Sequence, residues 1–525
     1  MLEDRQISEI LKSLPLRISD VVEMWSERSP DQVAVVDAGG SWNYRQLEGV
    51  IEQTKVWLNS LSVRPGDRVM ILGENCRALV ALMFAVAGLD AWPVLVNARL
   101  SAREIDQVRD HCGARRVLYS CVSLHATQHA RRHGASIEEF GDMGAIGVSP
   151  LDERVKPEII ESDVASRVAA LIYTSGTTGQ CKGVMLTHKN LLFVAAGSAK
   201  IRALTPDDRM CGVLPISHVV GFSVVLLGTL MSGATLYLLP RFDPVAVLAA
   251  LRRDRLTVML GVPSMFALLL EYAKFKNMKS LHFADLRIIS SSGAPLNFGL
   301  RSEVERLFGL ILHNGYGLTE CSPTIAQTRV ERPCADTSVG QVFPGVQLKL
   351  IGVDHKPVQD GEVGEIWVRG PNVMKGYYRA AEETAAAIDK DGWFNTHDLA
   401  RWKEGNLLIV GRVKELIVRF GLNVYPAEVE AVLNAHSGVA RSAVLGRSVD
   451  GVAGYEEVVA FVQLLPGARI TEAELAKYVA LHLAPHKRPS EIFIIDTMPI
   501  TQSGKIVKGE LAKMADLGAE TVSIV

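Results

Sequence analysis

One stretch of twelve residues constrains this chain more than any other. Residues 173–184 read YTSGTTGQCKGV, in which three glycines alternate with hydroxyl side chains before Lys182. Glycine lets backbone N–H groups turn inward without a Cβ clash, hydroxyls add donors, and lysine adds a point charge. Apolar residues 169–172 and 184–186 flank the stretch, which predicts a loop held between two strands. The pattern therefore indicates a loop that binds a polyphosphate.

This loop differs from the Walker P-loop. That motif requires Gly, four residues and then Gly-Lys-Ser/Thr, whereas Cys181 stands where its second glycine would be. A P-loop ATPase is therefore disfavoured, and a Ser/Thr/Gly-rich surface loop remains the purely structural alternative. The loop residues predicted to contact the ligand are Thr174, Ser175, Gly176, Thr177, Thr178, Gly179 and Lys182.

Composition excludes several classes of protein. The chain has 525 residues, so we expect at least two domains, and its 48% hydrophobic content is typical of a globular protein. The 56 basic and 58 acidic residues nearly balance, so nothing indicates a nucleic acid or an anionic membrane as partner. The seven cysteines are scattered without a CxxC spacing, which argues against a zinc site or a disulfide framework and for a reducing compartment.

Two segments bear on location. Residues 1–15 carry acidic side chains and lack the apolar core of a secretory signal. Residues 219–240 carry no charge, but residues 232–234, Ser-Gly-Ala, divide them into a helix-like half and a strand-like half. We therefore expect a buried helix, turn and strand rather than a membrane span, in a cytoplasmic protein that is a monomer or a dimer.

The first half of the chain has the rhythm of an α/β fold. Residues 44–61 have the periodicity of an amphipathic helix, and residues 64–67 form a turn that leads into the strand RVMIL. Residues 76–88 then indicate an apolar helix and residues 93–96 a buried strand. Repeated strand–helix–strand units predict mixed, mostly parallel sheets packed with helices.

The pattern changes after about residue 360, where short strands separated by glycine turns indicate antiparallel pairing in a small β-barrel-like subdomain. Beyond Arg412 the strands and helices form a self-contained α+β segment. We therefore predict a large N-terminal domain, residues 1–412, and a small C-terminal domain, residues 413–525.

A second motif, NGYGLTE at residues 314–320, follows a strand. Its glycines allow the backbone to approach a planar ligand closely, and Tyr316 offers a stacking face. Glu320 supplies a hard oxygen ligand suited to Mg²⁺. A tight turn capped by Thr319 is the structural alternative.

Three more motifs lie towards the C-terminus. NTHDL, at residues 395–399, places the carboxylate of Asp398 where it could accept both hydroxyls of a ribose, although a solvated loop aspartate is equally compatible. GRVKE, at residues 411–415, supplies a basic pair at the domain junction. TQSGKIVK, at residues 501–508, presents Lys505 on a turn, where a lone lysine would more often be a solvated charge.

Together these five segments resemble the adenylate-forming superfamily of acyl-CoA synthetases, luciferases and peptide-synthetase adenylation domains. The motifs occur in the family's order and spacing over nearly the whole chain, which is most like an acyl-CoA synthetase. The resemblance implies that ATP and Mg²⁺ activate a carboxylic acid to acyl-AMP with release of pyrophosphate. The acyl group then passes to coenzyme A, giving acyl-CoA and AMP, while the C-terminal domain acts as a mobile lid.

The resemblance also implies roles for single residues. The loop that ends at Lys182 would close over the β- and γ-phosphates, Thr319 and Glu320 would lie at the α-phosphate and Mg²⁺, and Asp398 and Arg412 would contact the ribose. The implied adenine cleft consists of Gly293, Ala294, Pro295 and Tyr316, and we group Asn314 and Gly315 with these nucleotide contacts.

The remaining implied roles concern catalysis and the lid. Lys505 would bridge the carboxylate and the α-phosphate, Lys414 would be the hinge, and Gly421 would line the pantetheine tunnel. The predicted catalytic residues are Lys505, Thr319, Glu320 and His218, with Glu320 as the metal ligand. The chain departs from the family at His397, where a glycine is usual; its imidazole could bind substrate or pack, and we favour packing.

The same comparison bears on the acid. Amino-acid-activating relatives need an acidic residue in the segment that corresponds to residues 214–221, which here contains His218 and no acid. Dicarboxylate-activating relatives carry an arginine near GVPS, where this chain has Ala267 and Leu268. The predicted acyl pocket shows no cation and consists of His218, Val219, Val220, Ser290, Gly293, Asn314, Gly315 and Thr324. It suits an uncharged aliphatic or aromatic acyl group.

Other functions stay open at this point. A stand-alone ligase that loads a carrier protein is the main alternative, and a catalytically silent binding protein of the same fold is a second. Luciferase-type oxidation is a remote third.

Overall fold

The computed structural model describes residues 11–175, 181–419, 422–448, 456–500 and 506–517. The following predicted site residues lie outside the described residues: Gly176, Thr177, Thr178, Gly179, Gly421 and Lys505. The described helices are α1 (Asp20–Arg28), α2 (Tyr44–Ser60), α3 (Arg77–Gly88), α4 (Ala102–Cys112), α5 (Leu124–Arg132), α6 (His188–Ile201), α7 (Gly228–Met231), α8 (Pro244–Arg253), α9 (Pro263–Phe275), α10 (Phe298–Phe308), α11 (Ala381–Ala387), α12 (Pro426–Asn434), α13 (Glu472–His482) and α14 (Lys508–Leu517).

The described strands are β1 (Val33–Asp37), β2 (Gly40–Asn43), β3 (Arg68–Gly73), β4 (Trp92–Asn97), β5 (Arg116–Ser120), β6 (Ser136–Glu139), β7 (Ala145–Val148), β8 (Val168–Ser175), β9 (Cys181–Thr187), β10 (Arg209–Gly212), β11 (Thr235–Leu238), β12 (Val258–Gly261), β13 (Ile288–Ser292), β14 (Leu312–Gly317), β15 (Thr324–Gln327), β16 (Gln341–Val342), β17 (Gln347–Ile351), β18 (Gly364–Arg369), β19 (Gly376–Tyr377), β20 (Phe394–Lys403), β21 (Asn406–Arg412), β22 (Ile417–Arg419), β23 (Leu422–Val424), β24 (Val439–Ser448), β25 (Glu456–Leu464) and β26 (Glu491–Ile494).

Two large sheets form the body of the N-terminal part. In the described ranges, one sheet has the strand order β16-β15-β14-β13-β12-β10-β11-β1-β2, and the other has the order β19-β9-β8-β4-β3-β5-β7-β6. Central neighbours such as β12 with β13, β13 with β14 and β3 with β4 are parallel, whereas β1–β2 and β8–β9 are antiparallel hairpins. The predicted α/β class with mixed sheets is confirmed.

Helices packed against these sheets supply the main hydrophobic core. Every residue of α3 except its last is buried, because its sequence RALVALMFAVAG is apolar on nearly all faces and such a helix is stable only in an interior. The amphipathic helix α2 begins where Asn43 and Gln46 form a capping box, and it buries the single face that carries Leu47, Ile51 and Leu58.

The uncharged stretch 219–240 folds as a buried helix, turn and strand. A π-helical segment, Val220–Leu227, runs into α7, Gly233 turns the chain with φ of 69°, and β11 follows. The prediction for this stretch is confirmed. None of the helices described above combines the length and hydrophobicity that crossing a bilayer requires.

Smaller units follow the two large sheets. β17, β18, β20 and β21 form an antiparallel sheet that is open in its described pairing order rather than closed as a barrel. Beyond a 3₁₀ turn at Val413–Glu415, β24, β25 and β26 form a separate sheet with its own core, against which α12, α13 and α14 pack. The α+β character of the C-terminal segment is as predicted.

Candidate functional site

Asp398 joins two sheets at the first cluster of the site. The β20–β21 hairpin places Asp398 opposite Arg412, whose Nε donates to Asp398 Oδ1 at 2.6 Å. Tyr316, near the end of β14 in the nine-stranded sheet, donates from Oη to Asp398 Oδ2 at 2.6 Å. The Asp398 side chain is only 4% exposed. The structure thus brings together three residues that the sequence predicted for nucleotide binding.

Burial and charge decide how this cluster is protonated. Burial raises the pKa of Asp398, whereas the Arg412 charge and the bonds from Tyr316 and Arg412 act in the opposite direction. Burial also raises the pKa of Tyr316, and the neighbouring Asp398 carboxylate raises it further, so the phenol keeps its proton. Because each carboxylate oxygen has two acceptor sites, Asp398 can still accept two further hydrogen bonds from a diol.

Glu320 is the centre of a second cluster. It lies in the 3₁₀ turn Thr319–Cys321 after β14, and its Oε1 accepts a 2.9 Å hydrogen bond from Tyr377 Oη. Tyr377 is held by β19, which pairs with β9, and Lys182 Nζ lies 4.9 Å from the centre of its ring. Lys182 also forms a 2.5 Å ion pair with Glu383. Residues predicted for the phosphate loop and for the α-phosphate therefore lie around one tyrosine.

The residues of this second cluster can be compared with the usual coordination of Mg²⁺ in proteins. Mg²⁺ is commonly bound through one or two carboxylates together with waters and substrate phosphates, rather than in an all-protein cage. Among the described residues no group of three or more His, Cys, Asp or Glu side chains could hold a metal ion. The single carboxylate of Glu320, beside the predicted phosphate loop, fits a Mg²⁺ ion that is also bound by waters and substrate phosphates.

The remaining residues predicted to bind the nucleotide follow β13 or lie on the β8–β9 hairpin. Gly293 follows β13 with φ of 82°, a conformation that favours glycine, and Ala294 and Pro295 continue from it. Across the β8–β9 hairpin, Thr174 pairs with Lys182 and the Ser175 backbone pairs with Cys181. The predicted phosphate loop therefore connects two antiparallel strands, as its flanking apolar residues indicated.

Two histidines singled out in the sequence have different surroundings. His218 is exposed just before the π-helical segment, and its Nδ1 accepts a 3.3 Å hydrogen bond from the Val220 N–H. Its catalytic role stays a prediction. His397 has a φ of 56°, its side chain is 58% exposed, and its Nδ1 lies 3.0 Å from Glu365 Oε1. The packing interpretation of His397 was wrong, and the left-handed backbone explains why glycine suits this position.

The predicted acyl-pocket residues lie mainly on the nine-stranded sheet. Ser290 is on β13, Asn314 and Gly315 are on β14, and Thr324 is on β15, whereas Val220 belongs to the π-helical segment. Ser290 and Asn314 line a small cavity together with Arg202.

Sequence reasoning did not single out two residues that lie beside predicted site residues. Tyr377 reaches Glu320 only through the pairing of β19 with β9, and a lone Tyr in a short strand gives no signal of its own. Arg202 follows the last residue of α6, where a cation is common because it complements the helix dipole. Only its burial distinguishes it.

Comparison with known proteins identifies the family of this chain. The model of the AMP-binding enzyme family covers residues 22–378, and that of the AMP-binding enzyme C-terminal domain covers residues 428–505. The chain belongs to the AMP-binding enzyme family. It is 34% identical to a feruloyl-CoA synthase from Amycolatopsis over 92% of this chain and 96% of that protein. It is 31% identical to an indoleacetate–CoA ligase from Aromatoleum aromaticum over 95% and 98% of the two chains.

Solved structures of the family are similar throughout. The ATP-bound MatB from Rhodopseudomonas palustris superposes with a TM-score of 0.82 at 29% identity, covering 94% of this chain and 98% of MatB. The MenE from Bacillus subtilis in complex with the acyl-adenylate OSB-AMP superposes with a TM-score of 0.79 at 28% identity, covering 96% and 99%. The prediction of an ATP-using, AMP-forming acid–thiol ligase is confirmed, and this AMP-binding enzyme transfers the acyl group of its acyl-AMP to CoA.

Proposed function

We propose that this AMP-binding enzyme activates a medium-sized carboxylic acid with an apolar aliphatic or aromatic body, at a nucleotide site centred on Asp398. The observation that carries the proposal is the buried carboxylate of Asp398, which Tyr316 and Arg412 hold in place with acceptor capacity left for a ribose. The relatives named for feruloyl and indoleacetyl groups act on ring-bearing acids, which supports a pocket large enough for a ring.

The positions of Gly293 and Gly315 support the proposed pocket. A Cβ placed on Gly293 would have only Val262 Cγ1 near it, at 3.7 Å. A Cβ placed on Gly315 would have as its nearest neighbours Gln327, Ala326 and Ser292, which belong to β15 and β13 of the same sheet. At both glycines an added Cβ would have only ordinary van der Waals contacts, so neither position is already filled by its neighbours.

The reaction joins two anions, the attacking carboxylate and the α-phosphate, so cations must offset the charge that develops. We assign this role to Lys505, with Lys182 at the outer phosphates and the N–H and hydroxyl groups of the phosphate loop as further donors. Thr319 and Glu320 would contact the α-phosphate side, and Glu320 would hold Mg²⁺, which would neutralise phosphate charge when bound.

A pyrophosphate-release assay with a panel of carboxylic acids tests the proposed function. We expect release from ATP only when an acid is present, and we expect ring-bearing or medium-length acids to exceed acetate and malonate in kcat/KM. Coenzyme A and a phosphopantetheinylated carrier protein should then be compared as acceptors of the activated acyl group, with CoA the better one. Pyrophosphate release that does not depend on any acid would contradict the proposal.

We further propose that the segment after Arg412 is a lid that rotates about Lys414 between the two half-reactions. Lys414 is exposed within the 3₁₀ turn Val413–Glu415 that connects β21 to β22. Lys508 of α14 forms ion pairs with Glu415 at 2.7 Å and with Glu430 at 3.0 Å, so the last helix is tied to the C-terminal side of this turn. A single exposed turn between two packed units is a suitable hinge.

Replacing Lys414 by proline should stop the second half-reaction selectively. Proline fixes φ and disfavours a helical conformation at Val413, so the turn can no longer exchange between two geometries. We expect about one equivalent of pyrophosphate per enzyme in a burst, followed by thioester formation slowed by at least about ten-fold. The matched variant Lys414→Ala removes the same side chain but leaves the backbone free. Equal behaviour of the two variants would contradict the hinge.

A further inference from the structure

A small polar cavity lies on the nine-stranded sheet beside the proposed acyl pocket. The side chains that line it are rich in hydrogen-bonding groups and include Arg202, Ser290, His313, Asn314, Gln327 and Thr328. Ser290 and Asn314 were predicted for the acyl pocket, so this cavity adjoins the space that the acid would occupy.

The guanidinium of Arg202 is buried without a counter-charge. Arg202 is 9% exposed, and its Nη1 donates to the backbone oxygen and hydroxyl of Ser198 and to Gln327 Oε1. Its Nε and Nη2 have no hydrogen-bond partner among the described residues, and no described carboxylate lies within ion-pair distance. Burial, together with the nearby Arg329, lowers the pKa of Arg202 to about 10, so the group is still charged at neutral pH.

Arg329 is a second cation close enough to Arg202 to affect its pKa. Its Nη2 donates to the Val342 carbonyl at 2.9 Å, whereas Nη1 is buried and has no partner within the described part of the chain. The exposed Glu331 offsets the charge of Arg329 only in part, without forming a described ion pair. His313 has its pKa lowered by burial and by Arg202, so it is neutral near pH 7. The cavity therefore has donors and positive charge in excess, and a buried charge of this kind is costly unless an anion joins it.

Two pairs of neighbouring strand residues run from this cavity towards the C-terminal ends of β13 and β14. Ser290 pairs with His313 and Ser292 pairs with Gly315 across β13 and β14. Because residues two apart in a strand face the same side, these four positions share one face of the sheet. Ser292 and Gly315, which are small, occupy the C-terminal end of this face, whereas Ser290 and His313 at its other end line the cavity together with Arg202. Residues 315–317 lie two to four positions after His313, which at about 3.3 Å per residue is a distance of roughly 7–13 Å.

We propose that Arg202 binds a second carboxylate at the far end of the acyl substrate, so that this ligase prefers dicarboxylic acids whose two carboxylates lie that far apart. The inference rests on the proposed function and specifies its substrate class. The planar guanidinium can hold a carboxylate through two parallel hydrogen bonds, for which Nε and Nη2 are placed as a pair. Malonate is too short to reach Arg202 while it reacts at the nucleotide.

Matched pairs of acids test the proposal on the full-length enzyme. Octanedioate should be compared with octanoate, and 3-(4-carboxyphenyl)propanoate with 3-phenylpropanoate, by kcat/KM for pyrophosphate release and for CoA thioester formation. We expect the wild-type enzyme to favour the diacid of at least one pair by ten-fold or more. In Arg202→Gln, kcat/KM for that diacid should fall by at least about 30-fold, whereas the value for its monoacid partner should stay within about three-fold.

Two control variants and one thermal-shift measurement keep the outcomes distinct. Arg255→Gln removes an arginine whose side chain is 73% exposed and should leave every ratio unchanged. Arg202→Lys keeps the charge but loses the paired donors, and should give an intermediate preference. The diacid should raise the Tm of the wild type but not that of Arg202→Gln, a readout that survives even if turnover is slow.

Two results would overturn the inference while leaving the ligase function intact. The first is an enzyme that turns over both monoacids as well as or better than their diacid partners. The second is a diacid preference that Arg202→Gln retains. Failure of every acid to release pyrophosphate would instead contradict the proposed function itself.

Discussion

Replacing Lys505 by alanine is expected to slow acyl-AMP formation by at least about 100-fold, which is the typical loss when one electrostatic donor is removed from a developing negative charge. Thioester formation from preformed acyl-AMP should stay near the wild-type rate, because the proposed lid turns this lysine away before CoA attacks. Rapid-quench measurement of each half-reaction separates the two effects.

The position of Lys505 in the SGKI motif is what motivates this expectation. Lys513, an exposed residue of α14 eight positions later, provides the matched control, since Lys513→Ala removes the same charge from the same end of the chain. We expect that control to change neither half-reaction by more than about two-fold. If both half-reactions fall together in Lys505→Ala, the assignment of two lid positions is wrong.

The exchange Asp398→Asn should lower kcat/KM for ATP by at least about 100-fold. The amide has nearly the same shape but leaves the Arg412 charge without its buried partner, and it loses acceptor capacity towards the ribose. The rate of pyrophosphate release as a function of ATP concentration measures the loss. Glu365→Gln is the control, because its partner His397 is largely exposed and such a pair contributes little.

Nucleotide analogues distinguish ribose recognition from a general structural defect. Wild-type enzyme should lose activity with 2′-deoxy-ATP and 3′-deoxy-ATP, because each lacks one hydroxyl that Asp398 would accept. In Asp398→Asn the ratio of ATP to deoxy-ATP activity should move towards one, since the discriminating acceptor is already impaired. A ratio unchanged from the wild type would show that Asp398 supports the fold and does not contact the ribose.

The sequence alone determined the fold class, the type of ligand and the family of this protein. Strand and helix patterns depend on neighbouring residues, so α2 and α3 could be predicted within one residue of their ends. The hairpin around the phosphate loop was predicted as well, but its strands extend three residues further towards the loop than their apolar residues indicated. The glycine, hydroxyl and lysine pattern at residues 173–184 identified the ligand chemistry for the same reason, because phosphate recognition needs those groups close together in the chain. Family membership then followed from five such local motifs in order.

Only the tertiary structure decided which distant residues meet. Tyr377 contacts Glu320 across 57 positions of sequence, and Arg202 lies against Gln327 across 125. Neither contact leaves a trace in local periodicity, because each depends on how separate strands and helices pack. The interpretation of His397 was wrong for a related reason. The sequence could suggest packing or hydrogen bonding, but the left-handed φ and the exposure of His397 depend on the backbone of β20 in the folded protein. The proposed carboxylate site at Arg202 was likewise hidden, because the burial of Arg202 and its contact with Gln327 depend on how α6 packs against the nine-stranded sheet.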